Sequence, residues 1–252
     1  MKLGSCTFNL FKDSDLETII TTLENCGYEA VELRTGHPHG VEPSIGPAER
    51  EKVRERFAAS SVRLLAYGTV VQFHSPDPDE RARQLADGKA FADLAADTGA
   101  LGLRIRPNDL PEEVPYETTI RNIGEGTRAL ADYAAERGVE VWMEIHGSKT
   151  YYPHMIADMM NAANHPAAGV CWNSTGPDIV DGSVKASFEL LRPWIRNVHI
   201  HELTDDYPYR ELFALLKGSG YDMYTLAEVG TSGEIDRYLR YYRALWGELC
   251  GG

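Results

Sequence analysis

Four short stretches in the second half of the chain place polar side chains of metal-binding type at the ends of apolar runs. They are MEIHG (143–147), GVCWN (169–173), VHIHE (198–202) and LAEVG (226–230). Alternate residues of an extended strand share a face, so Glu144 and His146 point the same way, and so do His199 and His201. The runs end in Glu, Asn, His and Glu. Carboxylate, amide oxygen and imidazole are the donors that bind a divalent ion of the magnesium, manganese, cobalt or zinc type. Each residue alone has an ordinary explanation: a strand-end Glu is often a salt-bridge partner, and an Asn before Ser-Thr-Gly is often turn chemistry. Four such residues on four consecutive strand ends are much less easily explained that way.

The elements that must position them recur along the whole chain. Strand-like runs are expected at 2–8, 29–35, 62–68, 101–106, 139–146, 168–173, 196–202 and 224–230, with amphipathic segments between most of them. Ser14 and Glu17 fit a capping box ahead of Leu16, Ile19, Ile20 and Leu23, and Gly27 is placed to stop that helix. PAEREKVRERFAAS and PDERARQLADGKAFADLAADTG each open on Pro and acids, and a last helix near the C-terminus is placed to cover the first. Eight strands alternating with seven or eight helices predict one (β/α)8 barrel over residues 1–252, a fold whose usual length is about 250 residues. An open doubly wound sheet competes, but no GxGxxG follows any strand. In a barrel the active site gathers at the C-terminal strand ends, where these four residues fall.

Composition narrows the function classes. The chain has 252 residues and a formal net charge of −13, which argues against a nucleic-acid partner, because such binders draw affinity from a basic face. No apolar run approaches the roughly 20 residues that span a bilayer, and the N-terminus carries no signal-peptide pattern, so no membrane association and a cytoplasmic location are expected. The four cysteines are scattered and are expected as free thiols. The aromatic YLRYYRALW suits either core or interface, which leaves a homo-oligomer open.

With these motifs in order, the chain resembles the xylose isomerase-like TIM-barrel superfamily, as a sugar phosphate isomerase/epimerase-like protein; the superfamily includes sugar isomerases and epimerases, hydroxypyruvate isomerase, inosose dehydratase and endonuclease IV. MEIHG is similar to the family's Glu-x-His on strand five, GVCWNSTG to its "gvcwDtgH", NVHIHE to its "hvHikD", and LAEVG to its closing "iEi". The resemblance implies a divalent metal (Mn, Mg, Co or Zn) held by Glu144, Asn173, His199 and Glu228. Position in the motif selects His199 as the ligand and leaves His201 at the family's Lys position. The chain departs from the pattern at Asn173, where the family has an ionised Asp, and at Gly176, where a His often follows.

The resemblance implies that Glu144 and Glu228 act as an acid-base pair on a small-molecule sugar or polyol. One removes the proton next to a carbonyl while the ion stabilises the enediolate, giving isomerisation or epimerisation. Expulsion of a β-hydroxyl would instead make an inosose dehydratase-type lyase, and loss of the metal would leave a catalytically silent sugar-binding barrel. An endonuclease IV-type nuclease is opposed by the Arg residues of LRIRPN, by Gly176 and by the acidic charge. Further candidates for binding substrate are His146, His201, Arg104, Arg106, Trp172, His74 and Tyr67.

Overall fold

The computed structural model describes residues 1–251. Its eight strands form one closed parallel barrel in chain order, β1-β2-β3-β4-β5-β6-β7-β8. They are β1 (Lys2–Cys6), β2 (Ala30–Arg34), β3 (Arg63–Gly68), β4 (Gly102–Ile105), β5 (Glu140–Glu144), β6 (Ala168–Asn173), β7 (Ile195–Ile200) and β8 (Tyr224–Ala227). The barrel closes where Lys2 to Ser5 pair with Tyr224 to Ala227. All eight expected strands form, trimmed by one to three residues at most ends. The longest trim is at β8, which stops at Ala227, yet the Glu228 amide still donates to the Ile200 carbonyl at 2.9 Å. Glu228 is therefore held to the barrel rim as firmly as a strand residue.

Helices α1 (Leu16–Cys26), α2 (Pro47–Ala58), α3 (Pro78–Thr98), α4 (Tyr116–Ala135), α5 (Pro153–Ala163), α6 (Lys185–Leu191), α7 (Tyr209–Gly218) and α8 (Ile235–Leu249) surround the strands. The first starts one residue later than the capping-box reading: Asp15, not Ser14, is its N-cap, accepting from the Thr18 amide at 2.8 Å. Gly27 ends it in the left-handed conformation at φ 73°. The last helix does lie against the first: the Tyr28 hydroxyl donates to the Leu239 carbonyl at 3.1 Å, and Arg243 Nε to that of Gly27 at 3.0 Å.

Strand parity sorts the side chains into two cores. The larger lies between strands and helices and takes Val31, Leu33, Tyr67, Leu103, Ile105, Trp172 and Ile200. The smaller fills the barrel axis with Cys6, Ala30, Ala66, Trp142, Cys171 and Leu226. That interior is tight, since a Cβ on Gly4 would sit 2.5 Å from Leu226 Cδ2 and 2.7 Å from the Ala30 carbonyl oxygen. It forms a packed floor, and polar residues occupy the layer above it. Among the described residues no helix is long and apolar enough to cross a membrane, and the four cysteines are unpaired.

Candidate active site

Glu144, His199 and Glu228 meet at the C-terminal end of the barrel. His199 Nδ1 lies 3.0 Å from Glu228 Oε2 and 3.4 Å from Glu144 Oε1, and one donor atom from each residue falls within 4.8 Å of the others. The other face of the same ring, Nε2, lies 3.2 Å from Glu32 Oε2 and 3.4 Å from Cys6 Sγ. His199 is fully buried, which disfavours an imidazolium, but its neighbours Cys171, Cys6, Glu32 and Glu228 outweigh that and raise its pKa well above the ordinary histidine value.

Arg104 binds this cluster from below. Its Nε donates to Glu32 at 2.9 Å and its Nη1 to Glu144 at 2.5 Å, with all three side chains almost completely enclosed. Burial would raise the Glu144 pKa, but the Arg104 guanidinium and the His199 ring hold it well below the usual carboxylate range. Glu144 is thus an ionised carboxylate tied to a cation, whereas Glu228 keeps 13% of its side chain open toward the mouth. The space for Arg104 depends on Gly68, where a Cβ would come within 2.7 Å of Glu32 Oε1 and 2.9 Å of Arg104 Nη2. Any side chain at position 68 would push the guanidinium out of its fork.

Asn173 enters the group in an orientation its residue type does not reveal. Its Nδ2 donates to the Ile145 carbonyl at 3.3 Å and to Glu144 Oε1 at 3.5 Å, while its Oδ1 accepts from His201 Nε2 at 2.7 Å. The amide nitrogen, not the oxygen, faces the Glu144–His199–Glu228 donors. His201 is held in turn, with its backbone N–H donating to the Tyr209 hydroxyl at 3.0 Å. His146 and Asn173 line an open cleft of about 280 Å³ at the mouth, and His146 Nδ1 is buried with no partner.

The other expected substrate-binding residues divide by face. Arg106 lies at the mouth, two residues beyond Arg104. Arg104 itself is only 4% exposed and is consumed by two carboxylates, so it positions Glu144 and is not open to a substrate. His74 is half-buried in the loop after β3, where its charged neighbours are Asp109 and Glu80. Tyr67 and Trp172 belong to the helix-facing side, which corrects the expectation that they touch substrate. The Tyr67 hydroxyl pairs with Thr98 of α3 at 2.8 Å, and the Trp172 ring packs near Phe188 of α6 and donates to the Tyr207 hydroxyl at 3.1 Å. Both occupy strand positions whose neighbours point inward, so alternation turns them out. Glu32 was not among the expected site residues. Its signal was present in AVELR, where the same alternation puts Glu32 inside between outward Val31 and Leu33.

The loop after Asn173 is pinned by a buried acid. Asp178 Oδ2 accepts from the Thr175 amide at 2.8 Å and from the Tyr207 hydroxyl at 2.9 Å, while Oδ1 is buried without a partner. Burial raises its pKa to about 7, against the pull of those two hydrogen bonds. A carboxyl whose folded-state pKa lies above its unfolded value holds a proton longer in the folded protein. Its ionisation therefore costs stability progressively from about pH 4 to about pH 7 and no further above that. The Asp178→Asn variant should match the parent in melting temperature near pH 4 and exceed it by a few degrees at pH 8. A melting-temperature difference that does not change between those pH values would contradict this origin of the strain.

Residues 20–245 match the family model for the xylose isomerase-like TIM barrel, and the chain belongs to that family. No curated protein matches the sequence. Among solved structures, the fold is similar to D-psicose 3-epimerase with D-tagatose from Clostridium cellulolyticum H10, with a TM-score of 0.86 at 14% identity over 99% of each chain. It is also similar to the IolI protein with a bound zinc atom, at TM-score 0.77 and 15% identity over 99% of this chain and 96% of that one. A third similar structure is the probable 3-DHS dehydratase AsbF from Bacillus anthracis, at TM-score 0.77 and 14% identity over 98% of this chain and 99% of that one.

Proposed function

We propose that this barrel is a metal-dependent isomerase or epimerase that moves a proton next to the carbonyl of a small sugar or polyol. The observation that carries this reading is the convergence of Glu144 Oε1, His199 Nδ1 and Glu228 Oε2. The spacings of 3.0 and 3.4 Å along this group fit donors arranged about one divalent ion. Ligands roughly 2.1 Å from a common centre stand about 3.0–3.4 Å apart at octahedral to tetrahedral angles. Charge agrees: with His199 neutral, as a ligand must be, Glu32, Glu144 and Glu228 set against Arg104 leave two negative charges for a divalent ion to balance. The donor set therefore fits a divalent metal, with Glu144, His199 and Glu228 holding it.

When bound, the ion would supply positive charge to the substrate's carbonyl and to the enediolate oxygen. Glu228, on the open side, exchanges a proton with the carbon next to the carbonyl. Glu144 approaches from strand β5, fixed by Arg104, and exchanges one on the other side. His201 and Asn173 present a hydrogen-bonded pair to substrate hydroxyls beside them. The similar structures of a ketose epimerase and a zinc-bearing barrel support this class of reaction.

The test is incubation of manganese-loaded protein in D2O with a panel of ketoses, sugar acids and inososes. Deuterium should enter at a carbon adjacent to the carbonyl of at least one compound, with an isomeric product. Deuterium entry accompanied by loss of water would make the protein a dehydratase on the same site. A panel that shows no exchange with metal present would overturn proton transfer and leave a binding barrel.

A further inference from the structure

Above the Glu32–Arg104 pair stand two arginines that make no direct ion pair, although Glu144 lies within electrostatic reach of both and Glu32 and Glu42 of Arg34. Arg34 follows Glu32 by two residues on β2, and Arg106 follows Arg104 by two, one residue past the end of β4, so each repeats the inward face one step nearer the mouth. The lower arginine is saturated by two carboxylates. The upper two have no ion-pair partner among the described residues: Arg34 Nη1 donates to the neighbouring Thr35 carbonyl at 2.8 Å, and Arg106 Nε is buried with no partner at all. Several other arginines do find acids, as in Arg50–Asp97, Arg56–Glu17 and Arg137–Asp93.

The arrangement is costly as it stands. Burial is the main influence lowering the pKa of both side chains, and next comes the charge of Arg104; Arg106 is also repelled by Arg34. The adjoining His146 feels the charge of Arg106 and keeps its own buried Nδ1 unpaired. Two half-buried cations close enough to repel, one with a buried donor left vacant, form a receptor for an anion, since a carboxylate or phosphate accepts from guanidinium donors through charge-assisted hydrogen bonds. Strand order places this basic arc, β2 to β4, across the mouth from the acidic residues on β5, β7 and β8.

We propose that the substrate carries an anionic group, a carboxylate or a phosphate, which docks on Arg34 and Arg106 while its hydroxy-carbonyl end lies at Glu144 and Glu228. The placement of the hydroxy-carbonyl end rests on the proton-transfer reading above, whereas the anion site stands on the two arginines alone. The two arginines then determine which end of the substrate enters the acidic half of the mouth. A neutral ketose would leave both cations unmatched and would bind the more weakly for it.

Three compounds that share a hydroxymethyl ketone end separate the alternatives: D-fructose, D-fructose 6-phosphate and 5-keto-D-gluconate. Calorimetry on the metal-loaded protein should show at least one anionic compound binding about tenfold or more tighter than D-fructose, with the advantage shrinking as salt rises. Whichever anion is preferred identifies phosphate or carboxylate as the recognised group. Arg34→Met and Arg106→Met should each remove most of that advantage, read as the ratio of anion to D-fructose affinity within each variant. Arg106→Lys, which keeps the charge, should retain part of it and serves if the methionine variant does not fold. Glu228→Gln should still prefer the anion, which separates this site from the proton-transfer chemistry. Equal affinity for all three compounds, no binding of either anion at millimolar concentration, or a preference that survives both arginine changes would overturn the proposal. Exchange on a neutral ketose without anion preference would sink this proposal alone. Anion binding without exchange on any compound would sink only the proton-transfer reading.

Discussion

Replacing either Glu144 or Glu228 by Gln should reduce solvent-deuterium exchange into the substrate by roughly 10²–10⁴-fold, the range for removing a positioned acid or base. The amide keeps the shape of the carboxylate but has no basic oxygen to take a proton. The two variants should differ in their stability. Glu144 is buried against Arg104 at 2.5 Å, and its neutralisation leaves that guanidinium with only Glu32. Breaking one arm of a buried ion network is destabilising, so Glu144→Gln should also melt lower than the parent. Glu228 is 13% exposed and is tied to His199, so Glu228→Gln should lose exchange with a smaller change in melting temperature. Mass-spectrometric exchange assays alongside thermal melts make the comparison. A Glu228→Gln protein that exchanges at the parent rate would remove Glu228 from the chemistry.

The second large effect concerns the metal. Asn173→Asp should tighten manganese binding by about tenfold to a hundredfold, because a charge pair in a partly desolvated pocket interacts far more strongly than in bulk water. Without metal the same change should be unfavourable, since it places an oxygen where Nδ2 now donates to Glu144 and to the Ile145 carbonyl. Three carboxylates against Arg104 would become four. The variant should therefore melt below the parent when stripped by chelator and recover more than the parent does when manganese is returned. Binding in both forms should weaken as the pH falls, because the ligands must shed protons before they coordinate. Calorimetry of both proteins decides the matter. Equal affinity, or no manganese bound by either, would mean that position 173 does not sense the ion and that Asn173 serves His201 and the strand end only.

Each of these effects depends on residues that were legible in the chain to different degrees. Alternation of strands and helices, Pro and acids at helix starts, and Gly27 as a stop are local features, and local propensity follows from local sequence. The (β/α)8 fold was readable for that reason, and so was the placement of Glu144, His199 and Glu228 at strand ends. Parity along a single strand also turns Trp172 and Tyr67 outward, away from the mouth.

What one strand cannot show is what stands opposite it. Glu32 and Arg104 are 72 residues apart and meet only because barrel closure and the β2–β3–β4 register bring them over Gly68. Arg104 then becomes a buried support where its sequence position suggested a substrate contact. Arg106, two residues further on, feels the charge of Glu144 on the neighbouring strand but makes no ion pair with it, because Arg104 already holds that carboxylate. Asn173 shows the same limit on a smaller scale. The sequence put it at the strand end, but the direction of its amide is fixed by the Ile145 carbonyl and by His201, which come from two other strands. Strand identity and facing direction are properties of a few consecutive residues. Charge pairing and hydrogen-bond direction depend on distances between segments that only the closed barrel sets.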